Sequence, residues 1–294
     1  MCIRDSVLGA IDGDTTSETT SLDFQFNIGL STSFTGEDSL DIAIDSGNGS
    51  PSVLSSAMGF DSGTKLNVDG VTYTFPVGGA TMVVGDATDI STTFTGACVY
   101  SSFTDMTPDD CGTGNSLGAG NKGVTASIGY AFDSGFSLAG GISSPSTEIV
   151  GKTADLYGLN AAYSADGYGL AAAYVTDDGG PGAETTTWGF QGYYSFDLAD
   201  LSVGYESQES GGTDKTGYFV GLTFSEVGPG SVNVAAATYN GTDGLFADSD
   251  TEYLVYEASY SYALNDGMTI TPGVFLKEGT TDETGIAVKT SFSF

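Results

Sequence analysis

The sequence predicts an all-β protein, a transmembrane antiparallel up-and-down β-barrel of about 16 strands. Apolar and polar residues alternate with a period of two through most of the chain, and the connections between these runs are short and long in turn. No run of about 18 apolar residues is present that could form a transmembrane helix. At about 10 residues per strand plus loops, one barrel uses nearly all 294 residues.

Composition excludes several other classes of protein. Charged residues make up only 15% of the chain, His is absent, and Tyr and Phe number 16 and 17, which does not fit a disordered protein. A formal net charge of −31 excludes nucleic acid as a partner, because binding it requires a basic surface. Without His there is no His-based catalytic triad, and no phosphate-binding loop is visible. We therefore expect neither enzymatic activity nor a cofactor.

The alternation is clearest in the second half of the chain. Val124, Ala126 and Ile128 share one face of a strand, while Thr125 and Ser127 share the other. The apolar faces carry aromatic residues near their ends, as expected for girdles at the edges of a lipid-facing band. The pattern predicts eleven strands from residue 123 onward, preceded by five near 22–34, 38–45, 53–60, 64–75 and 80–85.

Within 64–75, Asp69-Gly70 is compatible with a two-residue hairpin turn. We favour a single kinked strand, because two strands of four residues are too short to cross a bilayer.

The connections predict which end of the barrel faces which compartment. Short turns with Asp, Asn and Gly fall near 133–135, 165–167, 197–200, 226–230 and 265–267. Longer acidic loops fall near 86–121, 143–154, 176–185, 207–215, 240–252 and 277–283. Outer-membrane barrels have their short turns in the periplasm, so we expect both chain ends there.

The N-terminal segment differs from the rest of the sequence. Met1–Ser6 matches no pattern that follows, and no basic start precedes an apolar stretch of useful length. We expect residues 1–20 to be a non-native or disordered leader on a truncated N-terminus, and residues 21–294 to be the barrel.

Two of the three cysteines, Cys98 and Cys111, lie in the same Gly/Ser/Asp/Thr-rich loop. A disulfide between them suits an oxidising compartment such as the periplasm or cell surface, and two free thiols are the alternative. Two Cys without His do not form a usual zinc site.

Acidic residues supply the candidates for ion selectivity. The strand register predicts inward-facing charges at Asp41, Asp45, Lys65, Glu206, Glu257 and Lys289. The 86–121 loop adds Asp86, Asp89, Asp105, Asp109 and Asp110. Such charges indicate a mild cation preference if they line a pore, and ordinary solvation if they do not. Asp248, Asp250 and Glu252 are weak calcium candidates, because their spacing lacks the Gly and distal Glu of an EF-hand.

Short motifs carry a resemblance to a known family. Residues 73–79, 82–86, 120–143 and 254–294 resemble cyanobacterial outer-membrane porins, which are related to OprB-type carbohydrate-selective porins and often described as iron-uptake porins. The final strand, with Phe292 and Phe294, resembles the signal that the barrel-assembly machinery recognises.

The resemblance implies an outer-membrane porin for passive diffusion of small hydrophilic solutes, inorganic ions or carbohydrates, surrounded by outer-membrane lipid and assembled as a homotrimer. In general-diffusion porins the third long loop folds inward and narrows the pore, and the 86–121 loop occupies that position. A loop that stays on the surface is the alternative for this segment. A non-channel surface barrel with a structural or adhesive role is the alternative for the whole protein.

Overall fold

A computed structural model describes residues 2–14, 20–48, 57–58, 60, 63–107, 111, 123–144, 155–179, 184–239, 253–279 and 282–293. Sixteen antiparallel strands form one closed barrel in which each strand pairs with its sequence neighbours and β1 pairs with β16. This confirms the predicted fold class. The strands are β1 Cys2–Gly13, β2 Ser21–Thr32, β3 Ser39–Gly47, β4 Asn67–Val77, β5 Ala80–Thr88, β6 Gly123–Ala131, β7 Phe136–Ser144, β8 Leu156–Ala165, β9 Tyr168–Asp177, β10 Thr185–Ser195, β11 Asp200–Ser210, β12 Thr213–Val227, β13 Gly230–Tyr239, β14 Tyr253–Asn265, β15 Met268–Lys277 and β16 Glu283–Phe292.

The distribution of side chains between the two faces is the reverse of that in a soluble protein. Large apolar side chains such as Leu159 and Leu170 are 64% and 60% exposed on the outer face. On the inner face, Asn160 and Ala171 are each only 5% exposed. An exterior of Leu, Phe, Tyr and Val is stable only against lipid, so the burial pattern supports a membrane-spanning barrel.

The two ends of the barrel differ, as the sequence predicts. The short end has connections 33–38, 78–79, 132–135, 166–167, 196–199, 228–229 and 266–267, and the start of β1 and the end of β16 also lie there. The other end has connections 14–20, 48–66, 89–122, 145–155, 178–184, 211–212, 240–252 and 278–282.

The structure contradicts the prediction of one long loop. The sequence predicts an irregular connection over residues 207–215, but β11 and β12 stay paired up to Ser210 and Thr213. The two residues between them, Gly211 and Gly212, have φ of +57° and +82°. Glycine adopts these left-handed angles at little cost, so a two-residue hairpin turn replaces the loop.

The expected leader over residues 1–20 also requires correction. Cys2–Gly13 forms β1, which pairs with β2 on one side and with β16 on the other. The barrel therefore starts at β1 and not at residue 21. This strand closes the sheet, since without it both β2 and β16 would have an unpaired edge.

The predicted strand at 53–60 is the other error in the first half. Its described residues Ala57, Met58 and Phe60 do not belong to a strand, and their side chains are buried inside the barrel. The 64–75 segment contains one strand, as the sequence favours, and its ladder with β3 has an irregularity at Asp69. That strand begins at Asn67, so Lys65 precedes it and is exposed in the second long loop rather than on the inner wall.

No helix in the described residues has both the length and the apolar character required to cross a membrane.

Candidate functional site in the barrel lumen

The third long loop, residues 89–122, turns into the barrel at its first residues. The carboxylate of Asp89 accepts a hydrogen bond from the Ser91 N–H at 2.8 Å and caps a 3-10 helix, Ile90–Thr93. Ile90 is fully buried in a cluster with Leu156 and Val175 of the inner wall. The capped turn thus directs the chain inward instead of over the rim.

Beyond this helix, the loop runs across the inner wall in an extended conformation. Its N–H groups point to the wall at every second residue, which is the period of an extended chain. Polar wall side chains from β8, β10 and β11 accept these hydrogen bonds: Asn160 from Thr95 at 2.9 Å, Gln191 from Ala97 at 2.8 Å and Ser202 from Val99 at 3.1 Å. The wall therefore binds the backbone of the loop and not only its side chains.

Glu257 on β14 continues this row of contacts. Its Oε1 accepts hydrogen bonds from the Tyr100 hydroxyl at 2.8 Å and the Phe103 N–H at 2.9 Å. Its Oε2 accepts them from the Thr104 N–H at 2.9 Å and the Thr104 hydroxyl at 2.7 Å. Each hydrogen bond to a charged group contributes about 1.5–3 kcal/mol. Burial, and then the neighbouring Glu257 carboxylate, raise the pKa of Tyr100, so its hydroxyl remains a donor.

Glycines of the inner wall provide the space in which the loop packs. A Cβ at any of them would contact the loop residue that lies over it: Thr93 over Gly129, Ile90 over Gly158, Cys111 over Gly204, Tyr100 over Gly221 and Phe103 over Gly273. The absence of side chains at these positions allows the loop to lie directly on the sheet.

The disulfide between Cys98 and Cys111 is present, with Cα atoms 5.8 Å apart. Cys111 is buried in a cluster with Tyr100 and Phe219, and Cys98 packs against this cluster. The bridge therefore ties a later part of the loop to the segment that the wall binds.

Described residues of the second long loop, which spans 48–66, also lie inside the lumen. Ala57, Met58 and Phe60 form a buried cluster with Phe103 of the third loop and with inner-wall residues Ile11, Phe275 and Ala287. The backbone of the two loops is joined by a hydrogen bond from the Asp105 N–H to the Ala57 carbonyl at 3.0 Å. Two loops, in contact with each other, thus cover a large part of the inner wall.

The predicted pore charges fall into different environments. Asp41 and Asp45 alternate with outward-facing Leu40, Ile42 and Ile44 on β3 and so project inward, as does Lys289 on β16. Asp105 is exposed on the third loop. Glu206 and Glu257 face inward but are only 1% and 4% exposed. They are therefore wall groups covered by other atoms and do not carry open charge into the lumen.

The remaining candidates lie elsewhere or outside the described residues. Asp86 is in β5, beside an irregularity where Ala87 has φ of +52°, and it accepts a hydrogen bond from the Ala87 N–H. Phe292 ends β16. The undescribed candidates are Asp109, Asp110, Asp248, Asp250, Glu252 and Phe294.

Sequence reasoning missed the residues that hold the loop. Asn160, Gln191 and Ser202 carry no sequence signal of their own, because their individual roles depend on which loop residue passes over them. The signal that could have found them is the concentration of Gly and of uncharged polar side chains on the inner faces of β6, β8, β10, β11, β12 and β15.

A closed antiparallel barrel with a lipid-compatible exterior and a long loop bound inside its lumen defines a channel-forming outer-membrane protein. The model of the Gram-negative porin family matches residues 11–283, and the chain belongs to this family. It is an outer-membrane channel for small solutes. Curated protein sequences give no significant match.

Solved structures show the same fold. A variant of the Rhodobacter (Rh.) blastica porin is 16% identical, with a TM-score of 0.66 over 100% of this chain and 99% of that chain. The Pseudomonas putida OprB structure at high pH is 11% identical, with a TM-score of 0.75 over 99% of this chain and 94% of that chain. These likenesses extend over nearly the full length of each chain.

Proposed function

We propose that the channel passes small hydrophilic solutes by passive diffusion and mildly prefers cations. The observation that carries this proposal is the position of the third loop. Its described contacts extend over the wall from β5 to β15, whereas Asp41 and Asp45 project inward from β3. A permeating ion would then move between a covered wall and an acidic one, and fixed negative charge favours cations there.

Neutralising the acidic wall tests the cation preference. In an Asp41→Asn/Asp45→Asn variant, the reversal potential under a KCl gradient should move towards zero, because two lumen charges are removed. The matched control is Asp166→Asn, which removes an exposed carboxylate in a short turn. An unchanged reversal potential in the double variant would reject an acidic selectivity wall.

The finer choice of solute rests on the sequence resemblance. Its likeness to OprB-type and iron-uptake porins of cyanobacteria makes carbohydrates and iron ions candidate solutes beside other inorganic ions. Swelling of liposomes that contain the protein, measured with mono- and disaccharides against KCl, separates these classes. Swelling with salt alone would remove carbohydrates from the proposal.

A homotrimer is the proposed assembly, since the resemblance implies it. Light scattering of the detergent-purified protein measures the protein mass directly. A single-chain mass at all concentrations would contradict the trimer.

A further inference from the structure

We propose that Glu257 is a positioning residue for the constriction, so that its carboxylate sets the width of the channel rather than its charge selectivity. This inference rests on the proposed diffusion function and names the residue that fixes the geometry of the lumen. Glu257 faces inward from β14 and is 4% exposed, although it is an ionisable residue in a polar lumen.

The Glu257 carboxylate accepts four hydrogen bonds from one short stretch of the third loop, residues 100–104. Two donors are backbone N–H groups and two are side-chain hydroxyls, and both carboxylate oxygens are used. A carboxylate that accepts bonds from consecutive N–H groups fixes the backbone path of the loop as well as its distance from the wall.

Glu257 lies in the wall between two buried clusters that involve the loops. Its strand neighbours are Ala235 on β13 and Phe275 on β15. Ala235 belongs to the cluster that contains Tyr100 and Cys111, and Phe275 belongs to the cluster that contains Phe103 and the second loop. Glu257 therefore holds the loop where the two buried clusters meet.

The second loop depends on the same anchor. Phe103, held through its N–H by Glu257, packs with Met58 and Phe60. Two residues further on, the Asp105 N–H binds the Ala57 carbonyl at 3.0 Å. Releasing residues 103–104 from the wall removes the fixed surface on which the second loop packs. Both loops then become free to move, and the narrowest part of the lumen widens and fluctuates.

The charge of Glu257 is compensated where it lies. Four donors surround the carboxylate and Tyr100 and Thr104 cover it, so a permeating ion does not meet it directly. This separates the role of Glu257 from that of Asp41 and Asp45. Replacing Glu257 should change the size cut-off and current noise more than the reversal potential.

The test compares single-channel recordings of Glu257→Ala with those of the wild-type full chain, using neutral polymers of graded size in the bath. We expect a larger polymer cut-off, a higher conductance and a noisier open state, with little change in reversal potential. The control is Glu283→Gln, which removes another buried inner-wall charge but one that pairs with Lys277 at 3.4 Å and, among the described residues, not with the third loop. It should keep the wild-type cut-off.

A second variant protects the test against a folding defect. Tyr100→Phe/Thr104→Val leaves Glu257 in place and removes the two hydroxyl donors with little change in shape. Heat-modifiable gel mobility reports folding, and the folded double variant should show the same direction of change as Glu257→Ala. A wild-type cut-off and noise level in any folded loss-of-contact variant would overturn the role of Glu257. A wild-type protein without conductance would instead reject the proposed function itself.

Discussion

At the scale of single residues, the path of the third loop depends on wall glycines, which leave space for it, as well as on the wall side chains that bind it. Gly204 on β11 lies directly beneath the Cys111 carbonyl, and a Cβ there would collide with backbone rather than with a flexible side chain. Backbone cannot yield as a side-chain tip can, so the loop itself must move.

Gly204→Ala should therefore displace the disulfide-bonded part of the third loop. We expect an altered polymer cut-off in single-channel recordings, with heat-modifiable mobility preserved. Gly63→Ala is the matched control, since a Cβ at Gly63 meets nothing within 4 Å. Equal behaviour of the two variants would show that Cys111 does not rest on β11.

Asp38 is a hydrogen-bonded carboxylate in a turn at the short-turn end of the barrel. Its carboxylate accepts hydrogen bonds from the Tyr73 hydroxyl at 2.6 Å, the Ser33 hydroxyl at 2.7 Å and the Thr35 N–H at 2.7 Å. These bonds, that of Tyr73 first, hold the pKa of Asp38 well below its ordinary value. A depressed pKa in the folded state means that the turn is stabilised by the ionised form.

The stabilisation by Asp38 should be complete above the unfolded-state pKa of about 3.9 and should decline as the pH falls below it. Asp38→Asn should lower the thermal unfolding midpoint at neutral pH, and its difference from the wild type should shrink in acid. Asp133→Asn, in another short turn, serves as the control. A pH-independent difference would mean that the charge of Asp38 is not what stabilises the turn.

At the scale of elements, the second half of the chain was predictable and the first half less so. From β6 onward, the outer faces are apolar and the inner faces small or polar, so period-two alternation identifies each of the eleven strands. In β1 the alternation is weaker, because inward-facing Val7 and Ile11 pack against the cluster formed by the inserted loops. Both faces of β1 are thus partly apolar, which hides it.

The same physical cause explains the strand wrongly predicted at 53–60. Ala57, Met58 and Phe60 are apolar because they pack inside the lumen, not because they face lipid. A local pattern cannot distinguish these two apolar environments.

The candidate site could be predicted only in part. The sequence indicates a long loop with two cysteines, but it does not identify the wall residues that bind this loop. Asn160 and Glu257, for example, lie 65 and 154 positions away along the chain from their loop partners.

We expect the disulfide to restrict the mobility of the third loop. Bridging a loop of this size typically contributes about 3 kcal/mol, through the chain entropy that it removes. Cys98→Ser/Cys111→Ser should leave the barrel folded while increasing open-channel noise and protease sensitivity within residues 89–122. The Cys2→Ser variant is the control, and identical noise in the double variant would argue that wall contacts alone hold the loop.

At the scale of the whole molecule, closure of the sheet and the reversed distribution of polarity go together. A barrel without free edges satisfies its backbone in a membrane, and its exterior needs lipid rather than water. Its interior can then hold polar groups, glycines and two inserted loops. With a net charge of −31, the molecule also presents a negative field to approaching ions.

The most direct test is planar-bilayer conductance of the refolded full chain, recorded under a salt gradient. We predict stable single-channel steps with a cation-directed reversal potential and exclusion of larger neutral polymers. A folded, heat-modifiable barrel that gives no conductance steps would contradict the channel and indicate a structural barrel closed by its inserted loops.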